Sequence, residues 1–108
     1  MKRSVLVVLA VVGSACAGVQ LPKEQLTEPG ALLFNGYVKT DADCWHCHNG
    51  DGKGARGPSL AVRVPKLSAE AIKKTIREGD GFMPKYDTLS DDEVNLLTTW
   101  LQATFPAK

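Results

Sequence analysis

The five residues Cys44–His48, "CWHCH", place two thiols and two imidazoles within little more than one helical turn. Three chemistries use such groups. A structural zinc site takes four ligands, usually as two pairs separated by a dozen or more residues. Outside the motif the chain has no histidine, and its third cysteine is Cys16, close to the amino terminus. Four ligands crowded into one turn of backbone cannot converge tetrahedrally on one ion, so zinc is set aside. A C-x-x-C redox pair belongs at a helix start in a βαβ fold, where the thiolate is stabilised. No alternating strand pattern supports that here. C-x-x-C-H is also the attachment pattern of c-type haem. The spacing of Cys44 and Cys47 puts both sulfurs on one side of a helical turn, suited to thioether bonds with one porphyrin. His48 then faces the iron. His46 points elsewhere, towards solvent, and Trp45 is expected to pack or to be partly exposed.

Iron held by one histidine has a second axial side. The chain has two methionines, and Met1 opens an export segment. Met83 is therefore the one methionine left to the folded protein. It lies in an irregular "GFMPK" stretch, not on a helical apolar stripe, and Pro84 stiffens the backbone behind it. A His48/Met83 pair raises the haem potential and suits electron transfer.

The amino-terminal segment reads as export machinery. Lys2 and Arg3 precede an unbroken apolar run, Val5–Val12, and the small residues of "GSACAG" follow. The run is shorter than the ~20 residues a membrane-crossing helix needs. Two processing routes stay open. Ala15-Cys16-Ala17 suits cleavage after Ala17, giving a segment 1–17. Alternatively "GSAC" resembles a lipobox, with Gly13 where a leucine is usual, and Cys16 becomes a lipidated terminus. Either route accounts for an odd cysteine in an exported chain. Export takes Lys2 and Arg3 from the 13 basic residues and leaves the 12 acids, so the formal charge falls from +1 to about −1. That balance excludes a nucleic-acid binder. The remaining chain is small, and a large apolar cofactor gives such a core something to fold around.

The elements around the motif read as helices. Residues 18–28 are polar, contain Pro22 and read as a linker; 29–108 form the domain. Thr27 or Glu28 caps a first helix that begins at Pro29, with Gly30, Leu33, Phe34, Tyr37 and Val38 on its apolar face. Residues 49–59, "NGDGKGARGPS", make a loop. Ser68 caps a helix carrying Ala69, Ile72 and Ile76, which Gly79 stops. "SDDE", Ser90–Glu93, is a capping box that opens a last helix with Val94, Leu97, Trp100, Leu101 and Thr104 on one side. The chain therefore reads as all-α.

With these residues in place the chain resembles the class I cytochromes c, small single-haem electron carriers, over about residues 27–105. Gly30 and Phe34 match the glycine and aromatic of that family's first helix. Leu97, Trp100 and Leu101 match its last helix. The resemblance implies a cytochrome c-like fold, three or more helices wrapped around one covalent haem c, with those two helices crossing at right angles across the small glycine. "GPSL", Gly57–Leu60, matches the family's segment after the haem motif, and the resemblance makes the Pro58 carbonyl the acceptor of the His48 ring N–H. Met83-Pro84 matches the methionine loop. Ten positions separate Phe34 from Cys44, more than the family's usual few, so the first helix is expected to end early, with a loop inserted near Lys39–Asp43.

The function expected is a monomeric, periplasmic electron carrier that meets redox partner proteins and is not an enzyme, because both axial positions are filled. Two other readings are a lipid-anchored haem subunit of a larger respiratory complex, touching membrane only through Cys16, and an open-site haem enzyme or gas sensor. Seven basic residues and one acid lie between Lys53 and Arg77, against four acids and no base between Asp87 and Glu93. That asymmetry suits docking on an acidic partner.

Overall fold

A computed structural model describes residues 17–107. The segment expected to direct export lies, up to Cys16, outside the described residues. Five α-helices follow in order: α1 Pro29–Phe34, α2 Cys44–His48, α3 Leu60–Arg63, α4 Ala69–Glu78 and α5 Asp91–Thr104. Short 3-10 turns form at Lys23–Gln25 and, directly after α3, at Val64–Lys66. The fold is all-α, and no strand occurs among the described residues.

The last helix follows its sequence signals. Ser90 Oγ accepts from the Glu93 N–H, and the Glu93 carboxylate accepts from the Ser90 N–H at 2.8 Å. Val94, Leu97 and Leu101 are buried on one face. Thr104, expected on that stripe, is the last residue of the helix and is exposed. In α4 the Ser68 hydroxyl caps the Ala71 N–H, Ile72 and Ile76 are buried, and Gly79 ends the helix at a φ of 79°. That value favours glycine, the residue without a Cβ penalty there.

The first helix is shorter than its apolar pattern. It stops at Phe34, and Gly36 takes a φ of 80°. The Asn35 side chain turns back to bond the Ala31 carbonyl and reaches across to that of Gly50. Val38 is consequently exposed, not on a buried face. Glu28 occupies the N-cap position without capping; its carboxylate instead accepts from Trp100 Nε1 at 3.1 Å.

Helices α1 and α5 make the closest pairing. A Cβ on Gly30 would overlap Trp100 Cβ and lie 2.6 Å from Trp100 Cγ. The missing side chain therefore sets how near the two backbones come. Four residues along, Phe34 stacks obliquely on Trp100, with ring centroids 5.1 Å apart. Leu33, Phe34 and Leu97 are almost wholly buried, each contributing about 1.5–3 kcal/mol. Residues 18–28, expected as a linker, are hydrogen-bonded to the domain through Gly18, Val19, Gln20 and Leu21. Among the described residues no helix is long and apolar enough to cross a membrane.

Candidate functional site

Helix α2 is one turn long, and its five residues are the CWHCH motif. So short a helix cannot close its own hydrogen bonds beyond the first few. The loop behind it completes the job: the Gly57 N–H donates to the Cys47 carbonyl at 2.7 Å and the Gly54 N–H to the His48 carbonyl at 2.8 Å. These bonds fold residues 49–59 under the helix and bring Pro58 to the His48 ring. His48 Nδ1 lies 2.9 Å from the Pro58 carbonyl oxygen. A carbonyl only accepts, so Nδ1 carries the proton and Nε2 keeps its lone pair.

The Met83 segment is built differently. Gly79 ends α4, and a Cβ there would stand 2.5 Å from the Met83 carbonyl oxygen. Asp80 and Met83 exchange backbone hydrogen bonds of 3.1 and 3.0 Å around Gly81-Phe82. The returning chain is tied to α4 by the Tyr86 N–H, which donates to the Ile76 carbonyl at 2.9 Å. Met83 is thus held in a tight turn next to the end of α4.

Two adjoining cavities, of about 260 and 720 Å³, share Cys44, His48, Pro58, Arg63, Asp80 and Met83 on their walls. Cofactor clefts span roughly 300–1,000 Å³. The smaller cavity is also lined by Phe34, Leu60, Val64, Ile72, Leu97 and Leu101 from the helices and the turn after α3. The larger is also lined by Cys47, Arg56, Phe82 and Tyr86. The structure therefore brings Cys44, Cys47, His48, Pro58 and Met83 to one cleft. His46 lines neither cavity; it is half-buried, edge-on to Trp45.

Sequence reasoning missed Arg56, Arg63, Asp80 and Tyr86 as cleft residues. Val64 and Leu67, at three-residue spacing ahead of Ile72 and Ile76, were a signal for a further buried wall. The Tyr86 hydroxyl donates to Asp43 Oδ1 at 2.7 Å, and burial together with that bond pushes its ionisation upward. Burial, then the Asp43 carboxylate, pushes the Cys44 thiol up to about 12. A redox C-x-x-C site needs the opposite, a thiolate stabilised near neutral pH. The donor set and the apolar walls instead fit a flat, covalently held macrocycle with two axial positions.

Residues 31–101 match the family described as cytochrome c oxidase, cbb3-type, subunit III. The chain is also 32% identical over 107 residues to the Bacillus subtilis (strain 168) cytochrome c-551, covering 93% of this chain and 94% of that protein. The chain belongs to the c-type cytochromes. Its cofactor is haem c, one per small cytochrome of this kind, and its chemistry is haem-based electron transfer. Bound haem supplies a one-electron iron couple. The chain's own residues fix an imidazole tautomer, present a thioether on a constrained turn, and wall the cleft with apolar groups that keep water away.

Proposed function

We propose that this cytochrome is an exported, periplasmic single-haem electron carrier in which His48 and Met83 are the axial ligands. Cys44 and Cys47 form the thioether bonds, and the Pro58 carbonyl holds the His48 ring. The observation that carries this reading is the His48 Nδ1–Pro58 contact of 2.9 Å, on a ring that lines the same cleft as Met83. With its proton fixed on Nδ1, the imidazole offers Nε2 to iron, and a hydrogen-bonded imidazole is a more basic ligand. Methionine opposite it favours the reduced state and electron transfer. With both axial positions filled by the chain, no substrate site remains on the iron, so the protein is a carrier and not an enzyme.

Absorption spectra of the purified holoprotein in both redox states test this. A weak far-red band in the ferric protein is the expected mark of methionine ligation. High-spin ferric iron without that band would refute the assignment and favour an open-site enzyme or sensor.

A second reading has its own support, since the matching family is described as an oxidase subunit. In that reading Cys16 is lipidated and the haem domain serves a larger respiratory complex. The mass of the mature amino terminus separates the two: a diacylglycerol adduct on Cys16 excludes a freely diffusing carrier, and an unmodified chain beginning at Gly18 excludes the anchor.

Partner docking is narrower than the charge runs suggested. Arg77, from the basic run, pairs with Asp91 from the acidic one, and Lys39 pairs with Glu93. Arg56 and Arg63 line the larger cavity, and neither forms an ion pair among the described residues. They are the cations placed to meet an acidic redox partner at the cleft mouth. Association should weaken as ionic strength rises, and a rate indifferent to salt would remove the patch from the argument.

A further inference from the structure

Helix α2 leaves one debt unsettled by the loop behind it. In a longer helix the His46 carbonyl would accept from the Gly50 N–H. Here the chain turns at Asn49, with a φ of 66°, and that bond is not made. Both groups are satisfied by the amino-terminal segment instead. The Gly18 N–H donates to the His46 carbonyl at 2.7 Å, and the Gly50 N–H donates to the Val19 carbonyl at 2.9 Å. The Val19 N–H donates to Asn49 Oδ1 at 2.8 Å, while Asn49 Nδ2 is held by Asp51. Further along, the Leu21 N–H donates to Asn35 Oδ1 at 3.0 Å, and the Tyr37 hydroxyl donates to the Leu21 carbonyl at 2.7 Å.

Close approach is required at the first of these positions. A Cβ on Gly18 would overlap the Trp45 carbonyl and lie 2.9 Å from the Asn49 Cα and N. Those are backbone atoms of the haem-ligand turn, and they cannot swing aside as a side chain could.

We propose that Gly18–Leu21 is a positioning strap of the haem site: it caps the carbonyl end of the turn that carries Cys47 and His48. His48 is then held from three directions. Pro58 fixes its ring, Gly54 its carbonyl, and the strap the backbone on either side of it, at His46 and at Asn49-Gly50. The strap begins immediately after the export segment, so the reading also constrains processing. A mature chain trimmed past Gly18 would lose the cap.

The test uses holoprotein carrying Gly18→Ala, which drives a methyl into the turn, or Asn49→Gly, which keeps the left-handed backbone and removes the Val19 acceptor together with the exposed Asn49–Asp51 bond. Val94→Ala, in α5 and lining neither haem cavity, serves as a control with a loss of thermal stability unrelated to the strap. In the reduced protein, NMR follows exchange of the His48 Nδ1 proton and of the Gly54 and Gly57 amides, and electrochemistry gives the midpoint potential. The strap variants should speed those exchanges by roughly tenfold or more, the scale of one lost hydrogen bond, and shift the potential. Val94→Ala should lower the melting temperature without either change. If the strap variants keep wild-type exchange and potential, or the control moves them equally, the strap only stabilises the fold and the proposal is overturned. Should Gly18→Ala yield no holoprotein, Asn49→Gly decides by the same readings. The intact mass of the exported wild-type protein should place its first residue at or before Gly18; a start beyond Gly18 also overturns the proposal. The inference rests on His48 ligating the iron, and failure of that assignment would be visible separately, in the wild-type spectrum.

Discussion

Replacing Gly30 with alanine tests the geometry that brings α1 onto α5. Alanine is the better helix former by up to ~1 kcal/mol, chiefly because it restricts the unfolded chain. On local grounds Gly30→Ala should therefore stabilise the protein. The tertiary contact says the reverse. The added carbon would overlap Trp100 Cβ, sit 2.6 Å from Trp100 Cγ and come 3.3 Å from the Leu96 carbonyl. A Cβ is fixed to its backbone, so relief requires the two helices to part by about an ångström along a contact that also holds Phe34 against Trp100. Overpacking of this kind costs typically 1–3 kcal/mol and occasionally more. With the local gain set against it, the expected net loss is about 1 kcal/mol, or a fall in melting temperature of roughly 4–8 °C for a domain of this size. Denaturant unfolding of the holoprotein, followed by circular dichroism and haem absorbance, measures it. Trp100→Ala leaves the clashing Cβ in place, so Gly30→Ala should cost nearly as much in that background. A Gly30→Ala protein as stable as wild type, or a penalty abolished by Trp100→Ala, would refute the close backbone approach.

Other outcomes follow from the same contacts. Gly79→Ala forces a φ of 79° on an L-residue and sets a methyl against the Met83 carbonyl; the far-red ferric band should weaken or vanish at a pH where wild type keeps it. Met83→Ala should abolish that band and let cyanide bind the ferric iron readily, whereas slow binding like wild type would remove Met83 as ligand. Asn35→Ala strips partners from the part-buried Leu21 N–H and the buried Ala31 and Gly50 carbonyls, a loss of about 1–3 kcal/mol by chemical denaturation. The Ser90 N–H, then Lys39, hold the Glu93 carboxyl below its ordinary value. Its stabilisation is present above the unfolded-state pKa, near 4.5, and is lost as pH falls through the lower folded-state value. Acid titration of Glu93→Gln should accordingly show a flatter decline in stability below about pH 4.5 than wild type.

Some of this was written locally. The CWHCH spacing names the cofactor because attachment chemistry acts on neighbouring residues, and Ser68, Ser90 and Glu93 announce helix starts because a cap reaches only three residues. Met83 stood out by elimination and by its irregular setting. The first helix was harder: Tyr37 and Val38 continue its apolar spacing, but Asn35 ends it through a bond to Gly50, fifteen residues away. The charge runs misled in the same manner, since Arg77 and Asp91 read as opposite patches and meet in space.

Sequence alone determined the cofactor class, the all-α character and the Ser68 and Ser90 caps, which depend on residues close together along the chain. Tertiary structure decided that Arg56, Arg63, Asp80 and Tyr86 join the cleft and that Gly18 and Val19 bond to the haem-motif turn while Gln20 and Leu21 bond to Asn35 and Tyr37. The reason is physical. A five-residue helix cannot satisfy its own carbonyls, and which distant N–H groups do so depends on how the whole chain closes around it.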